Sequence, residues 1–156
     1  MAVELDELDL RIVHLLLKDA RTPAAQIAEQ IGLSRPAVAD RLDKLERQGV
    51  IRGTTAVIDP TAMGRGVTAF ISARGGHLSG AAWEKFHELM QRDEVLEVHT
   101  VAGDDCFLLK VRAESIGALN TLVQTLTTQL GLSTRTTIVM ETHCEKVGGI
   151  DLGSSK

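Results

Sequence analysis

Nothing in this chain reads as a membrane span or a disulfide framework. No apolar run approaches the roughly 18 residues that a membrane helix needs, and the opening MAVELDELD is acidic where a leader would be basic and then apolar. A soluble, cytoplasmic protein with no membrane partner is the expectation. Cysteine is scarce: Cys106 and Cys144 stand far apart and outside any CxxC pair, which points to free thiols in a reducing compartment and away from a bridge or a zinc site. An excess of positive charge is missing too. The formal net charge of −4 argues against a surface that coats nucleic acid broadly, while local contact stays open.

What the chain does have is a stretch from Thr22 to Gly49, TPAAQIAEQIGLSRPAVADRLDKLERQG. It predicts two short helices joined at Gly32, where a left-handed residue permits the sharp turn. Thr22 is read as the cap of the first of these helices with Pro23 at its first position, and Ser34 as the cap of the second. A preceding helix starts at the cap Asp6 and carries Leu8, Ile12, Leu15 and Leu16 inward. In the third helix Val38, Leu42 and Leu45 fall on the core side, leaving Pro36, Asp40, Asp43 and Arg47 opposite, with Arg35 and Ala39 on one edge and Arg41 and Lys44 on the other. This is the layout of a helix-turn-helix, which lays its second helix in a DNA major groove. The alternative is a solvated amphipathic helix whose charges serve solubility alone.

On this reading Ser34, Arg35, Pro36, Ala39, Asp40, Arg41 and Lys44 form the DNA-binding set. Arg35, at the end that enters the groove, is suited to a bidentate guanine contact, and Arg41 and Lys44 to phosphate. Asp40 either accepts from a cytosine amino group or trims affinity for phosphate.

After the third helix, residues 50–59 (VIRGTTAVID) read as a strand, and DPTAMGRG as a connection. The organisation is then residues 1–52 as the DNA-binding domain, 53–66 as strand and linker, 67–145 as a second domain and 146–156 as a tail. In that domain strand 67–74, helix 79–92 capped by Ser79, strand 95–102, strand 106–113, helix 115–130 capped by Ser115 and strand 133–143 make two successive βαβ units. Trp83, Phe86, Leu89 and Met90 are read as the inward side of the first helix, and Ile116, Leu119, Leu122, Val123, Leu126 and Leu130 as that of the second. The fold class is α+β: a helix-turn-helix, winged-helix-like, followed by a ferredoxin-like βαββαβ sheet with both helices on one face. The other face, to which Phe70, Val98, Leu108 and Ile138 are candidates, has to meet water or a second subunit.

The Gly103, Asp104, Asp105 turn offers two carboxylates, but neither a His at ligand spacing nor a nucleophile with its base accompanies them. No enzyme, metal or cofactor is called for. A polar hairpin turn and an effector-contacting turn are the two readings that stay open. His143-Cys144 and Cys106 lack further ligands fixed by sequence, Thr134 and Thr136 suit a polar pocket or an ordinary strand, and Gly64-Arg65-Gly66 is linker.

The segment LSRPAVADRLDKLERQGVI, the following Asp59-Pro60, and a βαββαβ pattern with VAGDDCFLLKV at its centre resemble the Lrp/AsnC (feast/famine) family of transcriptional regulators. The resemblance spans nearly the whole chain and is most specific at Arg41, Leu42, Leu45, Glu46, Gly49 and Ile51 and at the Gly-centred turn. It implies a homodimer built on the second domain, assembling to an octamer, that binds a pseudo-palindromic duplex operator and responds to an amino acid held where dimers meet. Gly103, Asp104, Asp105, Cys106, Thr134 and Thr136 are the effector-binding residues it implies. The chain departs from many members by placing Asp105 and Cys106 before Phe107, so the identity of the effector does not carry over. The contrasting class is a stand-alone amino-acid-binding or metabolic module without DNA binding.

Overall fold

A computed structural model describes residues 3–75 and 78–146; of the tail expected from residue 146, all but its first residue lies outside these. The chain separates into two compact units, the described residues up to Val57 together with Lys146 in the first and Ile58–Glu145 in the second.

In the first unit, α1 spans Glu7–Lys18 and begins in a reciprocal cap. The Asp6 carboxylate accepts from the Asp9 N–H at 2.8 Å, and the Asp9 carboxylate accepts from the Asp6 N–H at 3.5 Å, so two of the helix's orphan donors are satisfied together. α2 covers Ala24–Ile31. Its cap is Pro23, not Thr22: the Thr22 hydroxyl donates backwards to the Asp19 carbonyl at 2.7 Å, and the Pro23 carbonyl takes the first helical N–H groups. Gly32, at φ 73°, turns the chain into α3, Arg35–Arg47, where Ser34 Oγ accepts from the Ala37 N–H. Beyond α3, the Gly49 N–H donates to the Glu46 carbonyl and the Val50 N–H to that of Leu45, with Gly49 at φ 70°, which is a Schellman closure. Ile12, Ile27, Ala28, Ile31, Val38 and Leu45 are buried together, with Leu8, Leu15, Leu16, Leu33 and Leu42 packed around them.

Residues 50–59 form no strand, against the expectation from the sequence. A strand exists only where a ladder partner runs alongside, and each of the four strands among the described residues pairs within the second unit. Val57 and Ile58 are accordingly exposed, and the first unit has three helices and no wing among the described residues.

The second unit holds β1 (Val67–Arg74), α4 (Ala81–Met90), β2 (Val95–Thr100), β3 (Phe107–Ala113), α5 (Ile116–Gln124) and β4 (Ser133–Ile138). Its antiparallel sheet has the order β2-β3-β1-β4, the arrangement a doubled βαβ gives. Ala69, Ile71 and Ala73 of β1 and Phe107, Leu109, Val111 and Ala113 of β3 are buried against Phe86, Leu89, Leu119, Leu122, Leu126 and Leu130.

Several boundaries differ from the sequence reading. Gly80, at φ 54°, precedes α4 in place of a Ser79 cap, and Trp83 and Ile116 lie exposed, each on the first turn of its helix and outside the covered stripe. The expected helix 115–130 passes after Gln124 into a π-helical turn, Thr125–Gln129. There the hydroxyls of Thr125, Thr127 and Thr128 each donate to the carbonyl four residues back, and such back-bonding loosens the α ladder. β2 and β4 stop at Thr100 and Ile138, short of residues 102 and 143.

Register sorts the two sheet faces. Val98 stands opposite the buried Leu109, and Ile138 opposite the buried Ala69, so both belong to the helix-covered side and not to the open one. The open face carries Phe70 opposite Lys110, and Leu108 opposite Ser72. Charge crosses it as well: Lys110 Nζ lies 2.5 Å from Glu145 and 3.4 Å from Glu97, and Arg112 lies 2.7 Å from Glu145. Hydrogen bonding to Lys110 is the chief cause holding the Glu145 carboxyl below the ordinary carboxylate range.

Candidate functional site

Gly32 and Ser34 fix where α3 starts, and its buried Val38 and Leu45 fix which side faces out. Ser34, Arg35, Pro36, Ala39 and Asp40 are all exposed, so the structure brings this part of the predicted DNA-binding set onto one strip at the N-terminal half of the helix. The strip carries one cation, Arg35, beside small neighbours.

Arg41 and Lys44 are placed differently from the sequence reading, which pointed them at phosphate. Arg41 Nη1 lies 2.7 Å from Asp6 Oδ2 and 2.6 Å from Asp9 Oδ1, and Lys44 Nζ lies 3.0 Å from Asp9 Oδ2. The two cations turn back toward the start of α1. Asp9 is fully buried, and the Arg41 side chain keeps only 25% of its surface. Burial by itself pushes the Asp9 carboxyl up, but the hydrogen bonds from Lys44 and Arg41 outweigh it and hold the group below the ordinary value. Asp6 is held low chiefly by Arg41, and Arg41 is raised by the same two carboxylates.

Asp6 and Asp9 are therefore the functional-region residues that sequence reading missed. The Asp-x-x-Asp spacing signals the cap of α1, but not that its carboxylates take cations more than thirty residues away.

At one end of the sheet the second unit gathers the other candidate set. The Cys106 N–H donates to the Ala73 carbonyl at 2.9 Å, the Val101 N–H donates to the Cys106 carbonyl at 3.0 Å, and Cys106 Sγ donates to the Gly75 carbonyl at 3.4 Å. The turn carrying Gly103, Asp104 and Asp105 is thus anchored to the end of β1, with Gly103 at φ 133°. Thr134 stands across from the same Ala73 on the other side. Thr136 lies two residues further in, opposite Ile71, and is exposed, so it is less close to the turn than Thr134. Asp104 is exposed and Asp105 half-buried. A backbone turn whose Gly103, Asp104 and Asp105 N–H groups have no acceptor among the described residues, with a nearby carboxylate, suits a ligand bearing both a carboxylate and an ammonium. Among the described residues no group of three or more His, Cys, Asp or Glu side chains is arranged to hold a metal ion, and no helix is long and apolar enough to cross a membrane.

Comparison with known proteins matches residues 5–46 to the AsnC-type helix-turn-helix domain and residues 68–148 to the Lrp/AsnC ligand-binding domain. The HTH-type transcriptional regulator FL11 of Pyrococcus abyssi is 34% identical over 93% of this chain and 95% of its own length. The leucine-responsive regulatory protein of Escherichia coli (strain K12) is 33% identical over 88% and 86% respectively. Among solved structures, a Neisseria meningitidis transcriptional regulator in complex with L-Met superposes with a TM-score of 0.82 at 25% identity, covering 92% of this chain and 94% of that one.

Proposed function

The chain belongs to the Lrp/AsnC family of DNA-binding transcriptional regulators, and from that premise we propose that it reads duplex DNA with the strip Ser34, Arg35, Pro36, Ala39 and Asp40 under the control of an amino acid bound at the Gly103–Cys106 turn. The observation that carries the first half is the exposed N-terminal strip of α3, set by the left-handed Gly32 and the Ser34 cap. Arg35 donates to guanine in the major groove, and Asp40 sits one turn on. Because Arg41 and Lys44 are held by Asp6 and Asp9, they position α3 instead of gripping phosphate.

Support for the second half is the match to a ligand-binding domain, the L-Met held by the Neisseria relative and the anchored turn of this chain. Asp104 and Asp105 pair with the α-ammonium, turn N–H groups take the carboxylate, and Cys106 and Thr134 border the site, with Thr136 at its outer edge. The regulator works as a homodimer joined through the open face of the sheet, assembling further to an octamer, in the cytoplasm where its operator lies. Dimerisation places two α3 helices on successive half-sites of a pseudo-palindromic operator. The effector acts by binding one assembly more tightly than another, since only differential affinity shifts such an equilibrium.

Selection from a random duplex pool tests the DNA-reading half. A shared, two-fold symmetric sequence is the expected outcome, and recovery of no preferred sequence removes it. Thermal-shift measurements with the common amino acids, read beside sedimentation, test the other half.

A further inference from the structure

The reading helix of this protein carries three cations in its second half, Arg41, Lys44 and Arg47, and a helix so charged is able to settle on any duplex, because phosphate contacts carry no sequence information. The structure removes two of the three. Asp9 uses Oδ1 for Arg41 at 2.6 Å and Oδ2 for Lys44 at 3.0 Å, and Asp6 adds Oδ2 to Arg41 at 2.7 Å. Two carboxylates thus cancel two cations. The carboxylates are not free to swing away, since each also caps the other's backbone N–H at the start of α1, and Asp9 is fully buried.

We propose that Asp6 and Asp9 are specificity-determining residues: they mask Arg41 and Lys44, suppress sequence-independent attachment of α3 to phosphate, and leave the Arg35 end as the part that grips. The inference rests on α3 being the DNA-reading helix. It differs from a purely structural role for the ion cluster in one measurable respect. Unmasking raises the number of phosphate contacts, whereas a merely weakened fold lowers affinity for every duplex.

The experiment measures affinity of the full chain for a duplex without the selected operator sequence across a series of salt concentrations. In Asp6→Asn/Asp9→Asn, confirmed as folded by circular dichroism, the log–log salt slope steepens by about 0.9 for each cation released per bound subunit, and non-operator affinity at low salt rises about tenfold or more. Adding Lys44→Gln to that pair takes back the part of the steepening due to Lys44. An unchanged or shallower slope in the folded double variant overturns the mask. Should the double variant not fold, Lys44→Gln alone decides: the ion cluster has already withdrawn Lys44 from the duplex, so masking predicts a parental slope, and a shallower one overturns it. Arg35→Ala separates the two layers. If it lowers operator affinity while the unmasking variants leave the slope unchanged, masking alone falls; if it leaves operator binding unchanged, the reading helix and the mask fall together.

Discussion

Asp9 Oδ1 accepts a hydrogen bond from Arg41 Nη1 across 2.6 Å, and the accepting residue is wholly buried while the donor keeps a quarter of its side chain in solvent. The bond ties the first helix of the N-terminal unit to the side of the third. Because Asp6 and Asp9 both titrate below the ordinary carboxylate value in the folded chain, their contribution to stability is complete above that value and is lost as pH falls through the depressed ones. Acid should therefore destabilise the N-terminal unit, starting below about pH 4. Hydrogen exchange of the α1 and α3 amides between pH 6 and pH 3 measures it, after correction for the intrinsic rate. Asp9→Asn should flatten that acid dependence and cost about 1–3 kcal/mol at neutral pH, less than for a fully buried pair because Lys44 is partly solvated. An acid limb equally steep in the variant would show that other groups set it.

Arg35→Ala addresses base reading. Arg35 is exposed at the first position of α3, where a groove-entering helix presents its side chains to base edges. Removal of one bidentate contact should cost about 1–3 kcal/mol on the preferred operator and relax the base preference at one position in each half-site. Competition binding against single-position operator variants reads this directly. Uniform weakening across all of them would instead make Arg35 a phosphate contact.

How much of this was visible in the sequence depends on the range of each interaction. Ser34, Gly32 and Gly49 were legible because a cap or a left-handed turn is decided within a few residues, and Val38 and Leu45 because helical spacing fixes their side. The partners of Arg41 and Lys44 were not, since nothing local distinguishes a cation bound for phosphate from one bound for a carboxylate on another helix. Residues 50–59 show the same limit for strands: alternation describes a face, and only a partner makes it a strand. In the sheet, the placement of Val98 needed the register shift between Val95 and Glu97, and that of Ile138 needed its pairing with Ala69. The position of Thr134 beside the Gly103–Cys106 turn likewise exists only through β1, which lies between them.

For the effector, the informative change is Asp105→Asn. The side chain is half-buried in a turn whose backbone is already tied to Ala73 through Cys106, so the substitution keeps the shape and removes one charge. Loss of a charge-assisted hydrogen bond of about 1.5–3 kcal/mol weakens an amino-acid ligand at least tenfold. The ligand-induced rise in melting temperature should shrink accordingly, with the ligand-free melting temperature nearly unchanged. A rise of the same size in Asp105→Asn would move the ammonium contact elsewhere, with Asp104 the next residue to test.

The open face of the sheet supplies the last prediction. Phe70 is partly exposed there, opposite Lys110 and Thr137, and Leu108 lies on the same side by its pairing with Ser72. Two such faces brought together bury both apolar side chains, whereas a lone subunit leaves them in water. Phe70→Asp puts a carboxylate in place of the apolar ring on that face, where pairing of two faces would have to desolvate it. Sedimentation velocity should then show a shift toward monomer at concentrations where the parent chain associates. Operator affinity should fall much further than affinity for a single half-site, because only a paired protein gains the effective concentration of a second reader. Equal losses on whole and half operators would mean that the two α3 helices are not coupled through this face.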